Sequence, residues 1–442
     1  MLFSQFENVL DAYALTPRQI VLAFSGGVDS RVMLDLLSTY RDIHPQHRYL
    51  VIHVHHGLSE NADAWLAQCE GWSVEVGLDF KGLHVDFDKR GESLEKAARE
   101  ARYSAIASVV EPEALVLTGQ HADDQAETFL LALKRGSGPA GLAAMPEIRP
   151  LGHAHLLRPL LTVMRQDIEK YANKQGLAWI EDESNLDCRF DRNFIRQAWL
   201  PQARERWPGF VRAINRTSKL CAAQEGLLDE LLAEHDVRLQ QPDGGMSLAL
   251  LSAYSSRMQS SLLRRWLKQT AGLNLSQVQL SEVFNSVINA GEDANPLVQL
   301  GNWQVRRFQQ SLYCVINAED VSAWQHTLAL NCAAALPDSI GELSLIERED
   351  LNGLMLRLPS ESEAVTVSFN PEGLFAHPLG RQGKRKLKKL FQEYGVPTWQ
   401  RRRTPLIFYG EQLAAVADLF VCEGFDGQEC ELVWHKHHPY SA

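Results

Sequence analysis

The sequence predicts an α/β protein: an N-terminal domain on a Rossmann-like parallel sheet, a mainly α-helical middle domain and a small α+β C-terminal domain. Three observations predict it. Over the first 140 residues, short apolar runs alternate with longer amphipathic ones, the pattern of a parallel sheet covered by helices on both faces. Residues 204–290 carry helical periodicity with no strand signal. From about residue 343 the chain turns to short strands and one basic helix.

In chain order, residues 20–24 (IVLAF) read as a buried strand. Residues 28–40 read as a helix with Val32, Leu36 and Thr39 on one face. Residues 49–54 and 83–87 give a second and a third strand. Residues 93–110 give a long helix with Ser93 as its N-cap. A fourth strand at 114–118 leads into a helix at 123–134. Gly and Pro mark 136–160 as loop with short pieces, 162–175 is helical, and 181–200 is irregular before it becomes a helix. Strand-like alternation returns at 291–317, and 318–342 reads as a linker with a strand or two. The boundaries that follow are 1–203, 204–317, the linker 318–342, and 343–442.

The chain has 442 residues, enough for two or three domains at about 150 each. With 45% hydrophobic and 22% charged residues it is no collagen, mucin or wholly disordered chain. No apolar run approaches the roughly 20 residues of a membrane span. Glu7 and Asp11 stand where a signal peptide carries basic charge. The seven cysteines form no CxxC pair and read as reduced thiols, which places the protein in the cytoplasm and off the membrane. The net charge of −11 argues against nucleic acid, but its distribution argues for it. Residues 375–410 hold nine Lys/Arg and one acid, a local +8, so the remainder sums to −19.

Three motifs carry chemistry. Ser25, Gly26, Gly27, Val28, Asp29 and Ser30 lie between a strand and a helix. The glycines let backbone N–H groups turn toward an anion, and the helix N-terminus adds positive potential. Asp29 is a candidate ligand for Mg²⁺, and the absence of GK[ST] excludes a Walker A loop. The second motif, residues 118–128 (TGQHADDQAET), joins another strand to another helix and so faces the same cleft. Its Asp124 and Glu127, three apart, share a helix face and suit an amine cation. The bland alternative is that acids in a first turn complement the helix dipole. The third is residues 181–185 (EDESN) followed by Arg189, Arg192 and Arg196, a cationic edge suited to phosphate.

The form SGGxDS resembles the PP-loop of the N-type ATP pyrophosphatases. With HVHHGLSENADAW (53–65), SLEKAAREARY (93–103), TGQHADDQAET (118–128), LKRGSGPAGLAAM (133–145), RPLL (158–161), RNFIR (192–196) and the basic stretch 381–410, nearly the whole chain is similar to the tRNA(Ile)-lysidine synthase family. The resemblance implies an ATP-dependent carbon–nitrogen ligase. ATP would adenylate O2 of the wobble cytidine in the CAU-anticodon isoleucine tRNA. The ε-amine of free L-lysine would then attack C2 and release AMP, and reading would change from AUG to AUA.

By motif position, residues 25–30 would hold the ATP phosphates, with Asp29 helping Mg²⁺. Asp124 and Glu127 would bind lysine, and His121 and Asp123 would serve phosphate, metal or proton transfer. Arg99, Arg102, Arg192 and Arg196 would approach ATP or tRNA, and the strand ending at 53–57 would border adenine. In the basic module Arg381, Lys384, Arg385, Lys386, Lys388, Lys389, Arg401, Arg402 and Arg403 would meet tRNA phosphates, with Tyr394 and Trp399 offering stacking faces. The bland alternative there is a solvated charged face. A homodimer is among the expected assemblies.

Three rivals stand beside this. A PP-loop tRNA thiolase needs a cysteine pair or an iron–sulfur cluster, and no CxxC is present. A small-molecule amide ligase leaves the basic module without a role. A non-enzymatic RNA binder leaves Asp29, Asp124 and Glu127 without one.

Overall fold

Strand β1 (Gln19–Ala23) is buried along its middle and forms the centre of a six-stranded sheet. In the computed structural model, which describes residues 2–57, 61–86, 94–181, 187, 189–291, 294–347 and 353–436, the chain forms two compact units, Met1–Glu230 and Leu231–Ala442.

In the first unit, helix α1 (Leu2–Tyr13) precedes β1 and buries Phe6 and Leu10. The sequence analysis assigns no element here; in the structure Leu2, Phe3, Val9 and Tyr13 pack around the buried Phe6 and Leu10. Then follow α2 (Val28–Ile43), β2 (Arg48–His55), α3 (Ala62–Glu75), β3 (Asp79–His84), α4 (Leu94–Ala107), β4 (Leu115–Leu117), α5 (Ala122–Lys134), the short α6 (Pro139–Leu142), β5 (Ile148–Leu151), β6 (Ala154–Leu157) and α7 (Arg165–Lys174). The strand order is β3-β2-β1-β4-β6-β5. Every neighbouring pair is parallel except β5 with β6. Strand order reverses between β1 and β4, so a crevice opens at their carboxyl ends.

The apolar face of α2 (Val32, Leu36, Leu37) packs one side of the sheet with α1, α3 and α7, while α4 covers the other side through Ile106. The third strand lies four residues earlier than its expected start, at 79–84 rather than 83–87. It is an exposed edge strand with β2 as its one partner, so burial does not impose an apolar pattern on it. The β5–β6 hairpin occupies the stretch expected as loop. Ser93, the expected cap, lies outside the described residues, as do Asp182–Leu186, Cys188, His437 and His438.

Beyond α7 come α8 (Asp191–Phe194), a π-helical turn (Ile195–Trp199), α9 (Leu200–Arg206) and the 30-residue α10 (Phe210–Leu239), which carries the chain into the second unit. Ile195, Leu200, Val211 and Ile214 pack against Ala126 and Phe129 of α5. This places the 192–196 segment beside the acids of α5.

Beyond α10 the second unit continues with β7 (Met246–Ser247), α11 (Leu248–Ser252), α12 (Ser256–Ala271), α13 (Gln277–Val283), β8 (Leu297–Leu300), β9 (Trp303–Phe308) and β10 (Ser311–Ile316). Its sheet runs β7-β10-β9-β8, all antiparallel. The two-residue β7 corrects the reading that no strand lies in 204–290. It is too short to show periodicity and exists through pairing with β10.

The rest is β-rich: β11 (Gln325–Thr327), β12 (Cys332–Ala335), β13 (Gly341–Glu347), β14 (Leu354–Leu356), β15 (Val365–Ser368), β16 (Phe375–Ala376), β17 (Arg385–Lys386), α14 (Leu387–Glu393), β18 (Leu406–Tyr409), β19 (Gln412–Val416), β20 (Phe420–Val421) and β21 (Cys430–Lys436). The sheets β11-β15-β18-β19-β20 and β12-β13-β21-β14 enclose one core with α14. Residues 318–342 contribute β11 and β12 to these sheets. Among the described residues, no helix is long and apolar enough to cross a membrane.

Candidate active site

The loop from β1 to α2 turns at Gly26, whose φ is +83°. A Cβ there would sit 2.6 Å from Ile180 Cδ1 and 3.0 Å from Cys69 Sγ, so both the dihedral and the space require glycine. The Ile180 N–H donates to the Gly26 carbonyl at 2.9 Å and braces the turn. Gly27 is the N-cap of α2 and offers no side chain, which leaves the first N–H groups of the helix for an outside acceptor. Ser25 Oγ and Ser30 Oγ are 3.1 Å apart, and Ser30 Oγ donates to the Gly27 carbonyl at 3.0 Å.

The loop after β4 lies directly against this one. A Cβ on Gly119 would be 3.3 Å from Asp29 Cβ and from the Ser30 nitrogen. Helix α5 starts with His121 as its N-cap, a role the sequence reading did not give it. Its Nδ1 accepts from the Asp123 N–H at 3.2 Å, while Asp124 Oδ2 accepts from the His121 N–H at 3.1 Å. With Nδ1 facing the Asp123 N–H, Nε2 carries a ring proton. That nitrogen is buried, 3.5 Å from Asp29 Oδ1 and 3.4 Å from Asp124 Oδ2.

Asp29 Oδ1 is also buried, with no hydrogen-bond partner among the described residues. Burial raises this carboxyl above the ordinary carboxylate range, outweighing the pull of His121 and Arg165. Arg165 Nη1 lies 3.6 Å from Asp29 Oδ2. No motif singled out Arg165; it reaches the site from the start of α7. A partnerless carboxylate oxygen beside hydroxyl-bearing loop residues is a donor set that suits a hard cation such as Mg²⁺.

Asp124 and Glu127 do point the same way, and both are held by arginines. Arg196 donates Nε to Glu127 Oε1 at 2.7 Å and Nη2 to Glu127 Oε2 at 2.9 Å and Asp124 Oδ1 at 2.8 Å. Arg192 Nε donates to Glu127 Oε2 at 2.9 Å. Burial would raise the Asp124 carboxyl, but His121, Arg192, Arg196 and the His121 N–H together hold it below its ordinary value. Arg189 instead makes an exposed pair with Asp187.

Asp123 is turned to different work. Its Oδ2 accepts from the Arg165 N–H at 2.9 Å, and its Oδ1 pairs with Arg204 of α9. Arg204, like Arg165, carries no local sequence signal. Asp29, Asp123, Asp124 and Glu127 thus face Arg165, Arg192, Arg196 and Arg204 in one balanced network.

At the end of β2, the His53 ring donates Nδ1–H to the Phe24 carbonyl at 2.9 Å, its neutral form favoured by burial. Arg102 Nε donates to His56 Nε2 at 3.0 Å, and burial with Arg102 pushes His56 down to about 4. Arg99 lies over the Tyr103 ring at 5.4 Å. Cys69 packs beneath Gly26, and burial pushes its thiol up to about 12, so it is no nucleophile.

The chain matches three family models: a PP-loop domain over residues 2–203, a TilS substrate binding domain over 246–313 and a TilS substrate C-terminal domain over 365–437. It is 47% identical to a tRNA(Ile)-lysidine synthase of Vibrio campbellii, over 98% of this chain and 99% of that protein. The chain belongs to the tRNA(Ile)-lysidine synthase family. Identity is 48% to the tRNA(Ile)-lysidine synthases of Vibrio vulnificus and Photobacterium profundum, again over 98% of this chain and 99% of each. The lysidine synthase match spans both compact units, so the basic module belongs to the family pattern as much as the PP-loop does.

In that module the nine cations separate into two groups. Arg381 and Arg385 pair with Glu393, Arg402 with Glu372, and Arg403 with Asp338. Among the described residues, Lys384, Lys386, Lys388, Lys389 and Arg401 have no carboxylate partner; Arg401 Nε donates to the Val396 carbonyl at 3.0 Å. Trp399 is packed against Tyr313 and under Arg306, while Tyr394 contacts Phe420 and stays 40% exposed.

Proposed function

We propose that this chain ligates L-lysine to C2 of the wobble cytidine of the CAU-anticodon isoleucine tRNA, using ATP and Mg²⁺, in the cytoplasm. The observation that carries it is the meeting of two loops at the β1/β4 switch point: the anion-binding turn at 25–30 and the acid pair Asp124/Glu127.

The N–H groups at the start of α2 and the Ser25 and Ser30 hydroxyls receive the ATP phosphates. Asp29, with its partnerless Oδ1, holds Mg²⁺, which when bound spreads the charge of the departing pyrophosphate. Cytidine O2 takes the α-phosphorus and pyrophosphate leaves. The lysine ammonium gives up a proton to solvent, the free amine attacks C2, and AMP departs with the O2 oxygen.

Asp124 and Glu127 bind the amine. A carboxylate held below its ordinary range is a firm partner for a cation and a weak base, so Asp124 binds rather than deprotonates. His121 Nε2–H, between Asp29 and Asp124, is a donor to a phosphate oxygen. Asp123, with both oxygens engaged, positions α5, α7 and α9 instead of binding metal. Arg99 and Arg102 line the side of the crevice at β2, and the unpaired cations of the basic module hold tRNA phosphates.

Exchange of labelled pyrophosphate into ATP tests the order of events. Exchange that depends on the tRNA and not on lysine supports it. Exchange with lysine alone, in the absence of tRNA, would favour a small-molecule ligase.

A further inference from the structure

The hairpin of β16 and β17 sets Phe375 directly opposite Lys386. Paired residues on adjacent strands project to the same face. Phe375 is 54% exposed, unusual for a phenylalanine whose neighbours Ala376, Leu387 and Phe391 are buried. It stands at a cavity of about 610 Å³ whose wall includes Leu374, Phe391, Lys388 and Arg401. Three of the five unpaired cations of the module, Lys386, Lys388 and Arg401, therefore gather around one apolar floor. The fourth cation at the cavity, Arg402, is occupied by Glu372.

We infer that this cavity is a pocket for an unpaired nucleotide at the single-stranded 3′ end of the tRNA, its base stacked on Phe375 and its phosphate held by Lys386, Lys388 and Arg401. This rests on the tRNA reading above. A volume within about 300–1,000 Å³ admits a single small ligand. A duplex presents its phosphates on a convex surface and keeps its bases stacked, so it has no use for an exposed aromatic at a cavity rim. An unstacked base gains from one, and stacking on an aromatic side chain is sequence-tolerant. The excess of unpaired positive charge selects a phosphate-bearing occupant. Within a folded tRNA the D and T loops pack on each other, so the segments whose bases stand free are the anticodon loop and the 3′ end. The first is committed to the PP-loop domain, which leaves the second for this pocket.

The test uses the full chain and fluorescence anisotropy with two tRNA transcripts, one intact and one lacking its unpaired 3′ nucleotides, plus a labelled four-nucleotide RNA. Phe375→Ala should weaken binding of the intact tRNA about tenfold, as expected for loss of one stacked base. The same variant should leave binding of the trimmed tRNA unchanged, and Phe375→Trp should retain wild-type affinity. Lys388→Ala should weaken the intact tRNA more than the trimmed one. The tetramer should bind the wild type, and Phe375→Ala should weaken that binding about tenfold. Equal weakening of both transcripts, or none, would overturn the pocket, as would equal capture of an acidic peptide and the tetramer. Binding is read without turnover. Loss of lysine transfer with 3′-end dependence intact would contradict the proposed reaction and leave the pocket standing.

Discussion

Arg196 grips Glu127 at both carboxylate oxygens, at 2.7 and 2.9 Å, and Glu127 is 1% exposed. A lysine ammonium bound by this carboxylate, as proposed, would share it with the guanidinium that already orients it. Glu127→Gln should therefore raise the KM for lysine at least about tenfold, while the KM for ATP changes less than about twofold. It should also destabilise the chain by about 3 kcal/mol, because two part-buried guanidinium groups lose their main partner. Steady-state kinetics and urea unfolding measure both. An unchanged KM for lysine would remove Glu127 from the lysine site.

Asp29→Asn separates stability from activity. Burial raises the Asp29 carboxyl, so keeping it charged at neutral pH costs the ligand-free fold free energy. Asparagine removes that cost. The variant should lose turnover yet unfold thermally at a temperature no lower than the wild type. A clear drop in the unfolding temperature would mean that the carboxylate stabilises the network.

Gly26→Ala introduces a Cβ at a φ of +83° and 2.6 Å from Ile180 Cδ1. The left-handed conformation costs about 1–2 kcal/mol, and the clash adds to it. The displaced turn should raise the KM for ATP well above any change in the KM for lysine. Equal changes would mean that the loop serves both substrates.

Asp123→Asn retains one acceptor for the Arg165 N–H but weakens the pairing with Arg204. Its unfolding free energy should fall by about 1–3 kcal/mol, with the Mg²⁺ concentration for half-maximal activity unchanged. A large shift in that Mg²⁺ requirement would place Asp123 at the metal.

In the C-terminal unit, Arg357 grips Glu363 at 2.8 and 2.7 Å, and the Ser360 N–H adds a third bond, holding the carboxyl down at about 2. The folded value lies below the ordinary 4.5, so the contribution to stability is complete above 4.5 and fades as pH falls toward 2. Unfolding followed between pH 7 and pH 2 should show wild type and Glu363→Gln converging at the acid end. A gap independent of pH would refute the assignment.

What the sequence made legible was local. Ser25–Ser30 and Asp124/Glu127 sit at strand–helix junctions, where glycine, hydroxyl and carboxylate spacing directly encodes a turn and a helix face. Their partners come from far along the chain. Arg165 and Arg204 are 42 and 81 residues from Asp123, a separation no motif or periodicity records. For the same reason Arg192 and Arg196 could be read as a cationic edge, but not as the clamp on Glu127. Strand β3 was misplaced because an exposed edge strand needs no apolar alternation, and β7 was missed because its pairing lies in β10. In the basic module, composition gave the excess of charge. Which cations remain unpaired depends on Glu372, Glu393 and Asp338, which only the fold brings to them.

Incorporation of labelled lysine into purified CAU-anticodon isoleucine tRNA, with ATP and Mg²⁺ and beside a methionine tRNA bearing the same anticodon, tests the proposed reaction most directly. Label in the isoleucine tRNA alone, with AMP released in equal amount, is the predicted result. No label in either tRNA, under conditions where ATP binds, would contradict it and require a different nucleophile at the Asp124/Glu127 site.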